Sequence, residues 1–169
     1  MTRARWWVVA TVVSIAMAVG INTIDAPGTM VWFRRQTGGL GTLDTLPLGG
    51  ATLVHTLLSR LGVEGRALYL QEIVVFDIAF PIALLAMVRL AILQLWSAPW
   101  SRRLVLLPWA AFVVDLVENA CAAALTLTFP DEPSDLAAFI GGLTALKFVA
   151  YGAGLVAVAV GFVAGLARR

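Results

Sequence analysis

The sequence predicts an all-α integral membrane protein, a four-helix transmembrane bundle with an amphipathic surface helix in its first loop. Of its 169 residues, 60% are hydrophobic and only 13% are charged, and the mean hydropathy is +0.91. In a typical soluble domain about 25% of the residues are charged. Four apolar runs each reach the roughly 20 residues that a helix needs to cross the hydrocarbon core. We therefore treat residues 1–169 as a single membrane domain.

The first predicted span covers residues 6–24 and follows Arg3 and Arg5. This run carries no charge over a length that suffices for one crossing. The segment Ala16-Met17-Ala18 also fits a signal-peptidase site behind a basic start, so cleavage of the segment is the alternative. We expect the segment to be retained, because three more apolar runs follow it.

Residues 25–68 are predicted to form an extramembrane loop, because glycine, threonine and aspartate interrupt the apolar pattern. Within this loop, five apolar side chains recur on one face of a short helix: Leu53, Val54, Leu57, Leu58 and Leu61. This spacing is typical of an amphipathic helix that lies on the membrane surface, with Gly62 available to end it. The loop glycines lack the spacing of a phosphate-binding loop, so they indicate a flexible connection.

Three further spans are predicted at residues 73–95, 104–129 and 136–166. The connection between the second and third spans is basic, whereas the one between the third and fourth is acidic. The basic ends carry Arg3, Arg5, Arg102, Arg103, Arg168 and Arg169. By the positive-inside rule these ends are cytoplasmic, which places both termini inside and the glycine-rich loop outside. Four loop arginines, at positions 34, 35, 60 and 66, run against this assignment.

Polar and ionisable residues interrupt the last three predicted spans. They are Tyr69, Glu72 and Asp77 in or beside the second span, Asp115, Glu118 and Asn119 in the third, and Lys147 and Tyr151 in the fourth. The three residues of the third span share one helix face, because they are spaced i, i+3 and i+4. A charge at the bilayer centre costs about 2.5–3.5 kcal/mol on insertion scales. We therefore expect all these side chains to converge in the interior of the bundle.

Acidic groups outnumber basic groups in this cluster. Lys147 is expected to pair with Asp115 or Asp77, which leaves carboxyl groups in excess. At least one carboxyl is then expected to be protonated near neutral pH, because a low-dielectric interior does not accommodate several unbalanced charges. A protonated carboxyl of this kind can act as a general acid or as a proton carrier.

Pro81 has a direct consequence for Asp77. Because proline lacks an N–H group, it cannot bond the backbone carbonyl four residues before it, which belongs to Asp77. One interpretation is a kink with a polar notch beside the carboxyl group. The other is a packing kink in which a neighbouring helix satisfies the carbonyl.

Several other kinds of chemistry lack the residues that they need. The single cysteine, Cys121, and the single histidine, His55, form no nucleophile–base pair and no zinc ligand set. We therefore predict no cofactor and no metal site, although a metal held by Asp77, Asp115 and Glu118 stays open. The arginines are scattered along the chain, which argues against a nucleic-acid partner.

A four-part pattern in this chain resembles a group of uncharacterised bacterial four-span membrane proteins. Its parts are Leu61-Gly62-x-Glu64-Gly65-Arg66-x-x-Tyr69, Asp77-x-x-x-Pro81, Asp115-x-x-Glu118-Asn119 and Lys147. The resemblance covers residues 61–151 and implies a four-span topology in the bacterial plasma membrane, without implying a mechanism. In span count and buried acids the chain is also loosely similar to the sterol-isomerase and sigma-2 receptor class. That class binds sterol-like amines or intermediates in an acidic pocket, but none of its motifs matches here.

The first functional hypothesis is an enzyme or binding protein for a lipid-soluble small molecule, such as an isoprenoid or sterol-like compound. Asp115 or Glu118 would be the proton donor, and Asp77 would stabilise developing positive charge. Lys147 would orient or tune these acids, and Asn119 would contribute to ligand binding by hydrogen bonding. The remaining candidate ligand-binding residues are Tyr69, Glu72 and Tyr151.

Two other hypotheses use the same residues. In a structural or accessory membrane subunit, the buried charges would only fix which helices pair. In proton- or cation-coupled transport, the acids would carry charge through a homo-oligomer, because one four-span protomer offers little room for alternating access. The expected partners are therefore the lipid bilayer, a lipophilic small molecule and further copies of this chain.

Overall fold

The computed structural model describes residues 2–167, so Arg168 and Arg169 of the topology argument lie outside the described residues. Over the described range the chain is helical, without a β-strand. Its elements are α1 (Arg3–Thr23), α2 (Met30–Thr37), a 3₁₀ turn (Leu43–Thr45), α3 (Ala51–Leu95), α4 (Trp100–Leu104), α5 (Leu106–Thr128) and α6 (Ser134–Leu166). Four helical segments are long and apolar enough to cross a membrane, namely α1, α3, α4 with α5, and α6. The all-α class and the four long apolar helices are thus confirmed.

Helix α3 packs against each of the other three long helices. It runs antiparallel to α1, because the Arg3 guanidinium near the start of α1 donates to the Leu93 carbonyl near the end of α3, at 3.2 Å. The indole N–H of Trp96, the residue that directly follows α3, donates to the Ala157 carbonyl of α6 at 3.0 Å. Gly161 allows this approach, because a Cβ atom there would collide with the indole ring. Helix α3 is therefore the central element of the bundle.

Helix α3 is much longer than the second predicted span and contains the predicted surface helix as its first part. The two parts meet at Gly62, whose φ of 65° and ψ of −173° interrupt the helical backbone. The Arg66 guanidinium donates to the Leu58 carbonyl at 2.9 Å, so one carbonyl at this break has a donor. The helix then resumes, and it covers residues 63–72 as well as the predicted span.

The surface placement of this first helical part is a prediction that needs correction. Its apolar side chains do not face outward, because Val54, Leu57, Leu58 and Leu61 are buried in the main apolar core. Phe33 of α2 packs in the same core. Its ring lies edge-on against that of Tyr69, with the ring centroids 5.8 Å apart. The amphipathic pattern correctly indicates a helix with one apolar face, but that face packs against protein.

The predicted first loop therefore contains ordered elements. Helix α2 begins after Thr29, whose hydroxyl accepts a hydrogen bond from Trp32, and it ends at Gly38 with a left-handed φ of 67°. The 3₁₀ turn follows, and the Leu48 amide then donates to the Gly141 carbonyl of α6 at 2.8 Å. The acidic connection lies at the same end of the bundle, because Glu132 contacts His55 at 2.6 Å. This docking brings the 3₁₀ turn against α5 and α6.

Candidate functional site

Lys147 of α6 is the centre of the buried polar cluster. Its ammonium nitrogen lies 2.5 Å from Glu118 Oε2 and 3.7 Å from Asp115 Oδ1, both on α5. It also lies 3.9 Å from Asp44 Oδ2 and donates to the Asp44 backbone carbonyl at 3.2 Å. Of the two pairs that the sequence predicts, the one with Asp115 is present and no Lys147–Asp77 pair occurs among residues 2–167. Glu118 makes the closest contact.

Glu118 is anchored on both of its oxygens and is fully buried. Thr144, one turn before Lys147 on α6, donates its hydroxyl to Glu118 Oε1. Helix α6 thus presents two donors, spaced i and i+3, to a single carboxylate of α5. This arrangement fixes the pairing of the two helices, and Glu118 is not part of the cavity wall described below.

Asp115 is contacted on both carboxyl oxygens, on Oδ1 by the Lys147 ammonium and on Oδ2 by a hydrogen bond. Tyr151 lies one turn beyond Lys147 on α6, and its hydroxyl donates to Asp115 Oδ2 at 2.7 Å. The hydrogen bond from Tyr151 and the positive charge of Lys147, 3.7 Å from Oδ1, both favour the ionised carboxylate. Both Asp115 and Tyr151 border the cavity, so this carboxylate can face a ligand.

The contact made by Asn119 shows which of the two interpretations of the Pro81 kink is correct. Its side-chain amide donates to the Asp77 carbonyl at 2.7 Å, across the interface between α5 and α3. The carbonyl that Pro81 leaves without an intrahelical donor is therefore satisfied by a neighbouring helix, and it does not form an open notch. The role of Asn119 is to hold α3 against α5 beside the Asp77 side chain.

This contact yields a testable prediction. Asn119→Leu should lower the free energy of unfolding by about 1–3 kcal/mol, because a buried carbonyl then lacks a donor. Pro81→Ala returns an N–H group four residues after Asp77, so the double variant should regain much of the loss. Unfolding in sodium dodecyl sulfate, followed by circular dichroism, measures all three variants. A double-mutant cycle without coupling between the two positions would contradict the assignment.

Glu72 and Asp77 of α3 form the second half of the polar cluster. Both side chains border the cavity described below. Glu72 is only 4% exposed. Glu72 Oε2 and Asp77 Oδ2 are buried without a hydrogen-bond partner in the part of the chain that the structure describes. Such orphaned acceptors are rare in folded proteins and call for an explanation.

Tyr69 lies on the same helix but belongs to the core. Its ring is fully buried against Phe33, and its hydroxyl finds no hydrogen-bond partner among the described residues. It does not border the cavity. Tyr69 could therefore affect ligand binding only through the residues that it contacts.

A cavity of about 320 Å³ joins the two halves of the cluster. Its size lies at the lower end of the range for small-molecule pockets. The polar part of its wall consists of Asn22, Asp44, Thr45, Glu72, Asp77, Asp115, Lys147 and Tyr151. Large apolar side chains complete the wall, among them Met17, Ile21, Phe76, Phe80 and Phe148. A mostly apolar wall with a few convergent polar groups is the usual composition of a ligand site.

Two contributions to this cavity are absent from the sequence prediction. Asp44 reaches it from the 3₁₀ turn, which the Thr45 hydroxyl closes by accepting from the Thr42 amide and donating to the Thr42 carbonyl. Helix α1 adds Met17 and Ile21. Thr42 and Thr45 are the local residues that indicate this turn. They do not indicate which helices the turn contacts.

The described residues offer no group of three or more His, Cys, Asp or Glu side chains that could hold a metal ion. A metal between Asp77, Asp115 and Glu118 therefore gains no support from their geometry. In comparisons with known proteins, the chain matches no family model, no curated protein and no solved structure. The function must accordingly be inferred from the site itself.

Proposed function

We propose that this chain is a multi-pass protein of the bacterial plasma membrane, with both termini in the cytoplasm. In this proposal it binds a lipid-soluble small molecule in the cavity and donates a proton to it. The observation that carries the proposal is the pair of buried, unpartnered carboxyl oxygens of Glu72 and Asp77 in an otherwise largely apolar cavity. A general acid needs a carboxyl group that holds its proton next to the bound molecule.

The outer surface of the bundle supports membrane insertion. Large apolar side chains on α6 point outward, including Val149 at 68% and Phe162 at 58% exposure. Many others on all four long helices are also exposed, and a soluble protein rarely carries so much contiguous apolar surface. Met17 and Ile21 of α1 border the cavity, which supports the retention of the first span.

The contacts divide the polar cluster into two parts with different roles. Lys147 neutralises Glu118 and Asp115, and its contacts favour the ionised form of both carboxylates. Glu72 and Asp77 form no ion pair with a cation among the described residues, and each has a buried carboxyl oxygen without a hydrogen-bond partner. We therefore assign proton donation to the Glu72–Asp77 pair in place of Asp115 or Glu118. Asp115 then stabilises positive charge on the ligand from the opposite wall.

The test begins with a ligand that copurifies with the protein. Mass spectrometry of protein purified in mild detergent should identify a lipophilic compound, and Asp77→Asn with Glu72→Gln should abolish its protonation-dependent conversion or binding. Glu64→Gln is the matched control, because Glu64 lies on the same helix but is exposed. Retained activity in a folded Glu72→Gln, Asp77→Asn double variant would refute the assignment. Acid-dependent proton flux in liposomes would favour transport instead.

A structural or accessory role is the second candidate. The observation in its favour is the contact among Glu118, Thr144 and Lys147, which is buried and has only Lys147 at the cavity. This part of the cluster fixes the pairing of α5 with α6 whether or not a ligand binds. The accessory role alone leaves the unpartnered acceptors of Glu72 and Asp77 unexplained, and we therefore place it second.

A further inference from the structure

An apolar groove between α1 and α3 continues from the cavity towards the other end of the bundle. On α1 it is bordered by Trp6, Val9, Ala10, Val13 and Met17. On α3 it is bordered by Ala79, Ile82, Ala83, Ala86 and Leu90. Both series have the spacing i, i+3, i+4, i+7 and i+11, which keeps each set on one face of its helix. Met17 borders both spaces, so the groove and the cavity are adjoining.

The dimensions of this groove suit a single extended hydrocarbon chain. Eleven residues of helix correspond to about 16 Å. Three of the five α3 positions are alanines, so the two helix faces leave a space of about 610 Å³ between them. The groove is open to the outside of the bundle, where lipid would lie in the proposed membrane protein.

The cavity at the end of the groove requires hydrogen-bond donors. Four carboxyl groups border it, those of Asp44, Glu72, Asp77 and Asp115, against the single ammonium of Lys147. The buried atoms without partners at this wall are Asp44 Oδ1, Glu72 Oε2 and Asp77 Oδ2, and all three are acceptors when the carboxyls are ionised. An anionic head group would be repelled here, whereas an ammonium group supplies both positive charge and three donors. Phe76 and Phe80 add ring surfaces that attract a cation.

We propose that the site takes a single-chain lipophilic amine, with its head in the cavity and its chain in the α1–α3 groove. This inference rests on the proposed function and names its ligand class. The amine enters from the hydrocarbon as the neutral free base. Its nitrogen takes a proton from the carboxyl group of Glu72 or Asp77, so one O–H bond breaks and one N–H bond forms. The product is an ammonium ion held between carboxylates.

The test compares three probes that share one chain and differ in the head group: dodecylamine, dodecanol and dodecanoate. Binding is measured by equilibrium dialysis against protein in phosphatidylcholine nanodiscs, and binding to empty nanodiscs is subtracted. Dodecylamine should bind about 10- to 100-fold more tightly than dodecanol, since hydrogen bonds to charged groups distinguish the two heads. Dodecanoate should bind more weakly than either.

Two sets of variants separate the head site from the groove. Glu72→Gln with Asp77→Asn should remove the preference for the amine and preserve dodecanol binding, whereas Glu64→Gln should change neither. Ala83→Phe should fill the groove and weaken dodecylamine binding about tenfold or more, by loss of the buried chain. Butylamine, which is too short to occupy the groove, should be unaffected. Ala159→Phe is the control, because Ala159 is exposed on α6.

The outcomes distinguish this inference from the proposed function. Equal affinity for dodecanoate and dodecylamine, or an unchanged dodecylamine affinity in Ala83→Phe, would overturn the amine inference alone. Absence of binding by all three probes, together with no lipophile in the purified protein, would overturn the proposed function as well. Ala83→Phe alters no polar group, so it remains informative if the carboxyl variants fail to fold in a size-exclusion check.

Discussion

Lys147→Met should destabilise the protein by about 3–5 kcal/mol, because it leaves buried carboxylates without their compensating charge. Glu118 is affected most, since it is fully buried and lies 2.5 Å from the lost ammonium. Asp115 and Asp44 lose their shared cation as well. Unfolding in sodium dodecyl sulfate, followed by circular dichroism, gives the change in free energy.

The double variant Lys147→Met, Glu118→Leu should recover a large part of that loss. Apolar replacement of a whole buried ion pair is often neutral or stabilising, whereas removal of one partner is not. The Glu72–Asp77 pair is untouched, so the double variant should keep any cavity ligand that depends on that pair. Loss of the ligand in a well-folded double variant would show that the Lys147 part of the cluster acts on the ligand directly.

Arg35→Met is the matched control for this experiment. Arg35 also pairs with a carboxylate, that of Asp25, but both side chains are exposed. An exposed pair contributes at most about 1 kcal/mol, because water and salt screen its charges. If Lys147→Met were no more damaging than Arg35→Met, the buried network would not hold the helices together.

The helices were predictable because their signals are local. Length and apolar composition identify the four long helices, and the spacing of Asp115, Glu118 and Asn119 places all three on one face of α5. Pro81 likewise identifies the Asp77 carbonyl as a group in need of a donor. Which donor meets that carbonyl depends on the packing of α3 against α5, and this is why Asn119 could not be named.

The predicted surface helix is a case in which the local sequence predicts the helix but not its packing. Leu57 and Leu58 correctly indicate an apolar helix face, but amphipathicity does not reveal what covers that face. Here Phe33 of α2 and Leu125 of α5 pack in the same core. The polar stretch after Gly62 is helical, although Gly62 itself interrupts the helical backbone.

The site itself was only partly predictable for a related reason. The sequence supplies the acids of the long helices but cannot place Asp44, whose position depends on how a loop docks on α6. It also cannot separate carboxylates that face a cation from those that face a cavity. That distinction moves the proposed proton donor from Asp115 or Glu118 to Glu72 and Asp77.

This loop docking leads to the second large expected effect, that of Gly141→Ala. A Cβ atom on Gly141 would collide with the backbone nitrogen and oxygen of Gly49. The loop must then move away from α6, and overpacking of this kind costs about 1–3 kcal/mol. Asp44 lies in the same loop, so the displacement should also remove its contacts with Lys147 and weaken ligand binding in the cavity.

Gly142→Ala separates this steric effect from helix propensity. At this next residue of α6, no neighbouring atom lies within 4 Å of the position that a Cβ atom would take, so alanine there should stabilise the helix by up to about 1 kcal/mol. Both variants gain the same propensity, and the difference between them therefore measures the collision. Hydrogen exchange of the Leu48 amide, which donates to the Gly141 carbonyl at 2.8 Å, should accelerate in Gly141→Ala only. Equal exchange in both variants would mean that the loop is not held on α6, and Asp44 would then lose its place in the site.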